Sequence, residues 1–203
     1  PAWVEAAASR YDDYPRGGAQ VFLGEYAAHP PTLLTPRVFR PEANSFASAL
    51  AEAALYTGLV RNSDVVAMSC YAPLFNLVGH GQWEHDFIDY NPFTVQPTIN
   101  YWVQQLFTTA LGDSVVAVEG VAPERLLVSA TSDSERIFAH VVNSAESARV
   151  ITLICSGSAP SALVRRIAAS DRAQPPLGFT DTVGSASPIR EERVQVSGGE
   201  LTL

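Results

Sequence analysis

The sequence predicts an α/β part followed by an all-β part. In the first part, short apolar runs alternate with longer segments of helical periodicity, which is typical of a parallel α/β arrangement. In the second part, β-type runs recur roughly every 8 to 12 residues and are separated by polar turns. The pattern changes after Gly112, so residues 1–112 and 113–203 are predicted to form two domains.

The first predicted strand covers residues 21–23, a continuous apolar run of the kind that a parallel sheet buries on both faces. A segment with helical spacing precedes it over residues 3–14. Gly24 follows the strand, and Glu25 and Tyr26 then place a carboxylate and an aromatic ring at its C-terminal end. An acid there is costly to bury unless it is paired or used in chemistry. A solvated residue that opens a loop is the alternative interpretation of Glu25.

The following residues repeat the step from helix to strand. A proline-rich loop is followed by Asn44 and Ser45, either of which can cap a helix predicted over residues 46–59. A second strand over residues 65–68 ends before Pro73, because proline cannot continue a central ladder. The last helix of this part is predicted to start at Pro97-Thr98 and to end at Gly112.

A polar loop over residues 79–86 is predicted to lie at the same edge of the sheet as Glu25. Its two histidines and two acids suggest a metal site, but they lack the helical His-x-x-x-His spacing and a third histidine. A sugar site fits better: Trp83 offers a flat apolar face, and Gln82 and Asn76 offer donors and acceptors for hydroxyl groups. A plain core tryptophan is the alternative for Trp83. No metal and no cofactor are expected.

The all-β part is predicted to be an antiparallel β-sandwich, because its apolar runs are short and turn signals separate them. A loop with a short helix is expected over residues 159–176. The predicted strands cover residues 115–118, 126–131, 137–142 and 150–155.

Composition restricts the classes of partner. The 203 residues are 47% hydrophobic and 17% charged, and the formal net charge is −8. This acidic balance argues against a nucleic-acid partner and suits a neutral ligand such as a sugar. No apolar run is long enough to predict a membrane span. Cys70 and Cys155 form neither a disulfide framework nor a metal-ligand spacing, and both are expected to be buried thiols.

An ordered set of motifs resembles the C-terminal half of the α-L-arabinofuranosidases of glycoside hydrolase family 51. The strand-end motif Val-Phe-Leu-Gly-Glu-Tyr-Ala covers residues 21–27, and the set extends over roughly the first half of the chain. The other motifs are Tyr-Asp-Asp-Tyr-Pro-Arg at 11–16, Thr-Gly-Leu-Val-Arg-Asn-Ser-Asp at 57–64, the strand and turn at 65–75, Gln-Trp at 82–83, and the aromatic helix at 101–107.

This resemblance implies the C-terminal part of a (β/α)8 TIM barrel followed by an antiparallel β-sandwich, the latter expected to be truncated. It implies a retaining hydrolase that releases terminal non-reducing α-L-arabinofuranosyl residues from arabinose-containing carbohydrates, with Glu25 as the nucleophile. The residues expected to bind the substrate are Tyr26, Asn76, Gln82 and Trp83. The family also implies a homo-oligomer.

A retaining glycosidase needs a second carboxyl group about 5 to 5.5 Å from the nucleophile. In the resembling family this acid/base belongs to a Gly-Asn-Glu motif, which does not occur in these residues. Residues 1–203 alone are therefore expected to be inactive and to form part of a longer enzyme. Two alternatives stay open: another retaining barrel glycosidase, such as a β-xylosidase or endoglucanase, and a non-catalytic carbohydrate-binding module.

Overall fold

The computed structural model describes residues 2–29, 44–81, 85–120, 122–156, 159–169 and 187–203. Within these ranges the α/β part contains helix α1 (Ala2–Ala6), which continues as a 3-10 turn (Ala7–Ser9). Strand β1 (Val21–Tyr26), helix α2 (Phe46–Arg61) and strand β2 (Val66–Tyr71) follow. Helix α3 (Ile99–Thr108) is the last helix described. The elements agree with the predicted order, although α1 is much shorter than the predicted segment 3–14.

Helix α2 is the central helix of this part. The Ser45 hydroxyl accepts a hydrogen bond from the Ser48 backbone N–H, so Ser45 is the N-cap that the sequence predicted as one of two candidates. The helix continues through Gly58 to Arg61. A Cβ at Gly58 would overlap the carbonyl of Ala8, so glycine is required there for close packing against the N-terminal turn.

Strands β1 and β2 are parallel, and α2 connects them. The prediction that both faces of β1 are buried is wrong for this chain. Leu23 packs against the hydrophobic core, whereas Phe22 is 57% exposed and its partner across the strands, Met68, is 59% exposed. The parallel pair thus has one face covered by helices and one open apolar face.

The N-terminal ends of these two strands are tied together by two of the sequence motifs. Arg16 donates to Asp64 at 3.0 Å and to Asn62 at 2.6 Å. Arg61 pairs with Asp12, and Asn62, only 1% exposed, also donates to Asp12. Residues before β1 and residues before β2 therefore form one hydrogen-bonded cluster, which we call the N-terminal clasp.

A small three-stranded sheet leads from β2 to α3. Its strands are β3 (Phe75–Leu77), β4 (Ile88–Tyr90) and β5 (Val95–Pro97); β3 and β4 are parallel, and β4 and β5 are antiparallel. Thr98 then caps α3 by accepting from the Tyr101 backbone N–H.

Over its described residues the all-β part contains three antiparallel sheets. Strands β6 (Ser114–Val116), β7 (Leu126–Ser132) and β8 (Ile137–Asn143) form one sheet. Strand β9 (Thr152–Ile154) pairs with β12 (Glu200–Thr202), and β10 (Ser161–Arg166) pairs with β11 (Arg190–Gln195). The four predicted strands are confirmed. The helix expected within residues 159–176 is wrong over residues 161–166, which form β10; residues 170–176 lie outside the described residues.

Most elements of the described residues are β-strands. The α/β part and the all-β part share one hydrophobic core. Alanines of α2 form much of it, together with Ile99, Val103 and Phe107 of α3. The core continues across the predicted domain boundary, because Val142 of β8 belongs to it and Leu127 of β7 packs against it. No helix in the described part of the chain has the length and apolarity needed to span a bilayer.

Candidate functional site at the C-terminal ends of β1 and β2

The C-terminal end of β1 contains a bulge. Leu23 is opposite Ser69 and Tyr26 is opposite Tyr71, so three steps along β1 match two steps along β2. The extra residue lets both Leu23 and Tyr26 pack on the helix side, although an odd spacing would place them on opposite faces of a regular strand. Bulges of this kind re-aim side chains, and Glu25 lies within this one.

Glu25 is exposed and lies inside β1, one residue before its end, and not after the strand as the sequence suggested. Among the described residues its carboxylate has no hydrogen-bond or ion-pair partner. Cys70, between the two β2 residues that flank the bulge, is also exposed. The expectation of buried thiols is wrong for Cys70 and for Cys155, because both lie on strand faces or ends that the described core does not cover.

Tyr26 faces the opposite way from Glu25. Its side chain is 5% exposed, and its hydroxyl donates to the Tyr56 hydroxyl at 3.1 Å and lies 3.2 Å from Gln104 Oε1. Its ring makes edge contacts with those of Tyr56 and Tyr71, and burial raises the pKa of its hydroxyl. Tyr26 thus holds the strand end against the helices, and its predicted sugar contact stays a prediction.

Glu52 is a residue that the sequence analysis missed. It lies in α2, its side chain is fully buried, and its Oε1 accepts the Ala28 backbone N–H at 2.8 Å. Burial raises the pKa of this carboxyl to about 8, against the opposing effects of the Ala28 N–H and the neighbouring Asn100 amide. One sequence signal pointed to Glu52: it is the one acidic residue of α2, and its neighbours in the helix are mainly alanine and leucine.

A second buried polar group follows β2. The Tyr71 hydroxyl donates to the His85 carbonyl at 2.9 Å, and the Asn44 amide donates to the Asp86 carbonyl at 2.8 Å. The ring of His85 lies 5.3 Å from that of His29, which follows β1. The ends of both strands and the segment at 85–86 are thus brought together.

The ionisable groups of this segment have shifted pKa values. Burial, and secondarily the charge of His29, lowers the pKa of His85 to about 4. Burial, and secondarily the charge of Asp89, raises the pKa of Asp86 to about 7. Near pH 7 the His85 ring is therefore neutral, and the Asp86 carboxyl is about half protonated.

The other predicted binding residues have different outcomes. Asn76 is part-buried, and its amide donates to Asp89 at 2.8 Å, so one donor is already engaged. Gln82 and Trp83 lie outside the described residues, and their predicted contacts stay predictions. Within the described ranges, no three His, Cys, Asp or Glu side chains form a group that could hold a metal ion.

A cavity of about 260 Å³ lies on the helix side of the strands. It lies between α2, α3 and the start of the all-β part, and Glu25 is not among its lining residues. Residues that line it include Tyr26, Tyr56, Ser69, Gln104, Phe107 and Thr131. Phe22, on the open face of β1, does not line this cavity either.

Comparisons with known proteins agree on one family. Residues 24–195 match the family model described as the α-L-arabinofuranosidase C-terminal domain. An extracellular exo-α-L-arabinofuranosidase of Streptomyces chartreusis is 40% identical over 116 residues, which are 57% of this chain and 12% of that protein. A probable α-L-arabinofuranosidase A of Aspergillus flavus is 32% identical over 159 residues, which are 76% of this chain and 24% of that protein.

Solved structures show the same likeness. An arabinose-bound GH51 α-L-arabinofuranosidase matches with a TM-score of 0.78 and 26% identity, over 100% of this chain and 33% of that one. A thermostable GH51 α-L-arabinofuranosidase from Thermotoga petrophila has a TM-score of 0.69 and 18% identity, over 91% of this chain and 40% of that one, and shows the fold alone. The chain thus spans well under half the length of these relatives.

Proposed function

Because this chain belongs to the family of α-L-arabinofuranosidase C-terminal domains, we propose that it is part of a retaining glycoside hydrolase. The enzyme releases terminal non-reducing α-L-arabinofuranosyl residues from arabinose-containing polysaccharides or oligosaccharides. The single observation that carries this proposal is the placement of Glu25: an exposed carboxylate without a partner among the described residues, in a bulge at the C-terminal end of a parallel strand.

In this proposal residues 1–112 are the C-terminal part of a (β/α)8 barrel, and residues 113–203 belong to a β-sandwich. The parallel order β1–α2–β2 supports the first assignment, because a barrel is built from repeats of this unit. The exposed pair Phe22 and Met68 lies on the face away from the helices, where a closed barrel has its interior. Barrel enzymes place their chemistry at the C-terminal ends of the strands, which is the edge that holds Glu25.

Glu25 acts in this mechanism as the nucleophile. It attacks the anomeric carbon of arabinofuranose, the bond to the leaving oxygen breaks, and a glycosyl ester forms; water then hydrolyses this ester. A nucleophile must reach the anomeric carbon, and the Glu25 side chain is exposed and has no hydrogen-bond or ion-pair partner among the described residues. The proposed ligands of the sugar are Gln82 and Trp83, with Asn76 held in place by Asp89.

The second carboxyl group must be protonated when the leaving oxygen departs. Asp86 has a pKa raised to about 7, as a general acid requires, but its side chain is only 3% exposed. We therefore assign the acid/base to the part of the enzyme outside residues 1–203, as the absence of Gly-Asn-Glu from this sequence suggested.

The test is turnover of an aryl α-L-arabinofuranoside by the full-length parent polypeptide, by residues 1–203 alone, and by the parent with Glu25→Ala. The parent is expected to be active, the isolated chain inactive, and Glu25→Ala inactive until azide is added, when a glycosyl azide of opposite anomeric configuration forms. Full activity of Glu25→Ala would remove this residue from the mechanism. Faster turnover of a β-xyloside than of the arabinofuranoside would assign the parent to a different glycosidase activity.

A further inference from the structure

The residues that direct Glu25 are on helix α2. We propose that Glu52 and Tyr56 are positioning residues, which hold the chain on the far side of the bulge and thereby fix the direction of the Glu25 carboxylate. This inference rests on the proposed role of Glu25 as the nucleophile. It assigns a function to a fully buried acid that the mechanism does not otherwise use.

Glu52 and Tyr56 each form a hydrogen bond to β1 or to the residues that follow it. Tyr56 bonds to the hydroxyl of Tyr26 at 3.1 Å, and Glu52 accepts the backbone N–H of Ala28 at 2.8 Å. Tyr26 is the last residue of β1 and Ala28 follows two residues later, a distance of at most about 6.6 Å. Glu52 and Tyr56 are four residues apart on α2, a rise of about 6 Å. The two spacings match, so one face of the helix meets successive inward positions of the strand.

The helix side of this contact is itself fixed by α3. Gln104 Oε1 accepts from the Tyr56 hydroxyl at 3.3 Å, and the Asn100 amide lies beside Glu52. One turn earlier on α2, the Ser48 hydroxyl lies 3.3 Å from Asn100 Oδ1. Ser48, Glu52 and Tyr56 thus follow one another at helical spacing along a buried polar seam between α2 and α3. Tyr56 bonds to β1 and Glu52 to its continuation, whereas the Ser48 hydroxyl bonds to Ser45 and Asn100.

The geometry explains why the anchor is needed at this place. A bulge leaves one residue of the strand unpaired with its neighbour, so the β1–β2 ladder alone does not fix Glu25. Anchors at Tyr26 and Ala28, one and three residues after Glu25, replace the missing ladder restraint. A displacement of a reacting group by about 1 Å can cost about 100-fold in rate.

The test uses the full-length parent with Glu52→Leu and Glu52→Gln. Leucine removes the acceptor of the Ala28 N–H, whereas glutamine keeps an oxygen at that position without the acid. We expect Glu52→Leu to lower kcat for an aryl α-L-arabinofuranoside by about 100-fold with KM changed by less than about threefold. Glu52→Gln is expected to keep kcat within about threefold of the parent. Equal kcat values for Glu52→Leu and the parent would overturn the inference.

Two further variants separate positioning from general stability. Ser48→Ala removes a bond of the same buried seam without touching β1, so its kcat is expected to stay unchanged even if its melting temperature falls. Tyr56→Phe leaves Glu52 in place and removes the hydroxyl bonds with Tyr26 and Gln104. It is expected to lower kcat by about 3- to 10-fold at constant KM. It carries the test if Glu52→Leu does not fold, and an unchanged kcat in Tyr56→Phe would then contradict the inference.

Amide hydrogen exchange distinguishes failure of this inference from failure of the proposed function. The Ala28 amide is expected to exchange at least about tenfold faster in Glu52→Leu than in the parent, and to stay protected in Glu52→Gln. This readout needs no turnover. If the parent itself fails to hydrolyse the arabinofuranoside, the proposed function is wrong while the anchor can still be confirmed; if Ala28 keeps its protection in Glu52→Leu, the anchor is wrong whatever the parent hydrolyses.

Discussion

The two ends of the parallel strand pair are built from different chemistry. At the N-terminal ends, the clasp joins Arg16, Arg61, Asp12, Asp64 and Asn62 in ion pairs and hydrogen bonds between oppositely charged or amide groups. At the C-terminal ends, the buried groups are acids and a histidine whose pKa values shift toward the neutral form, beside an exposed Glu25. The polar groups of the clasp are paired with one another. At the C-terminal ends, burial of ionisable groups costs free energy.

This difference shows how a parallel α/β unit divides stability from chemistry. The charged and amide groups of the clasp bond to one another, which holds the clasp in one geometry. Few donors and acceptors are then left for a ligand. Buried acids and histidines with raised or lowered pKa values are typical of functional edges, because their neutral state is maintained by the surrounding structure. If the comparison is correct, changes at the clasp affect folding alone, and changes at the opposite end affect pH dependence or turnover.

The largest expected effect on folding is that of Gly58→Ala, beside the clasp. The new Cβ would overlap backbone atoms of Ala8, which cannot rotate away, so we expect a loss of about 3 kcal/mol in the free energy of unfolding. Urea unfolding of the parent and the variant measures it. Gly18→Ala is the matched control, because nothing lies within 4 Å of its Cβ position and a loss is not expected there.

Asn62→Ala is expected to have the next largest effect. Asn62 is buried, donates to Asp12 and to the Gly58 carbonyl, and accepts from Arg16, so its truncation removes three hydrogen bonds, two of them to charged groups, at a cost of about 2 kcal/mol. The exposed Asp64, changed to Ala, serves as control and should cost less than about 1 kcal/mol. A tenfold fall in kcat of the parent enzyme with Asn62→Ala would contradict the division of roles between the two ends.

The smallest effect concerns pH. The pKa of Glu52 is raised from 4.5 to about 8 in the folded protein, so the folded state holds a proton that the unfolded state has lost between these values. Stability is therefore expected to fall as the pH rises from 6.5 to 8, by about 1 to 2 kcal/mol. Asp86 adds a loss of the same sign, whereas the lowered pKa of His85 acts only below pH 6.5.

Melting temperatures at pH 6.5 and 8 measure this dependence. Glu52→Gln is expected to reduce the decrease, because its amide does not titrate. A decrease of equal size in Glu52→Gln and in the parent would show that the buried acid does not set the pH response.

The sequence predicted the elements where local signals were strong. The cap at Ser45 and the strands near residues 126–131 and 137–142 follow from capping chemistry and apolar spacing, and the structure confirms them. Helix α3 was predicted from Pro97-Thr98 to Gly112, but Pro97 belongs to β5, Thr98 is the N-cap, and the helix ends at Thr108. Strand β10 was missed because its partner β11 lies far along the chain, so local pattern carried little information about the pairing.

The candidate site was predictable in position but not in orientation. Gly24 and Glu25 after an apolar run indicated a strand end, and the structure places Glu25 there. The inward direction of Tyr26 depends on a bulge that exists only in the pairing with β2, and one residue of shift exchanges the two faces. Glu52 was overlooked because hydrophobic spacing treats an acid in an alanine-rich helix as a solvated position, whereas only the folded chain brings the Ala28 N–H to it.

The tie between the first helix and the second half of the chain has a consequence for unfolding. Glu5 of α1 pairs with Arg125 and accepts the Ser144 hydroxyl at 2.6 Å, while Val142 completes the core under α2. Since these contacts join the first helix to strands of the all-β part, melting of either part would expose buried surface of the other. Differential scanning calorimetry should accordingly record one cooperative transition, and cleavage near residue 112 should release two pieces that aggregate.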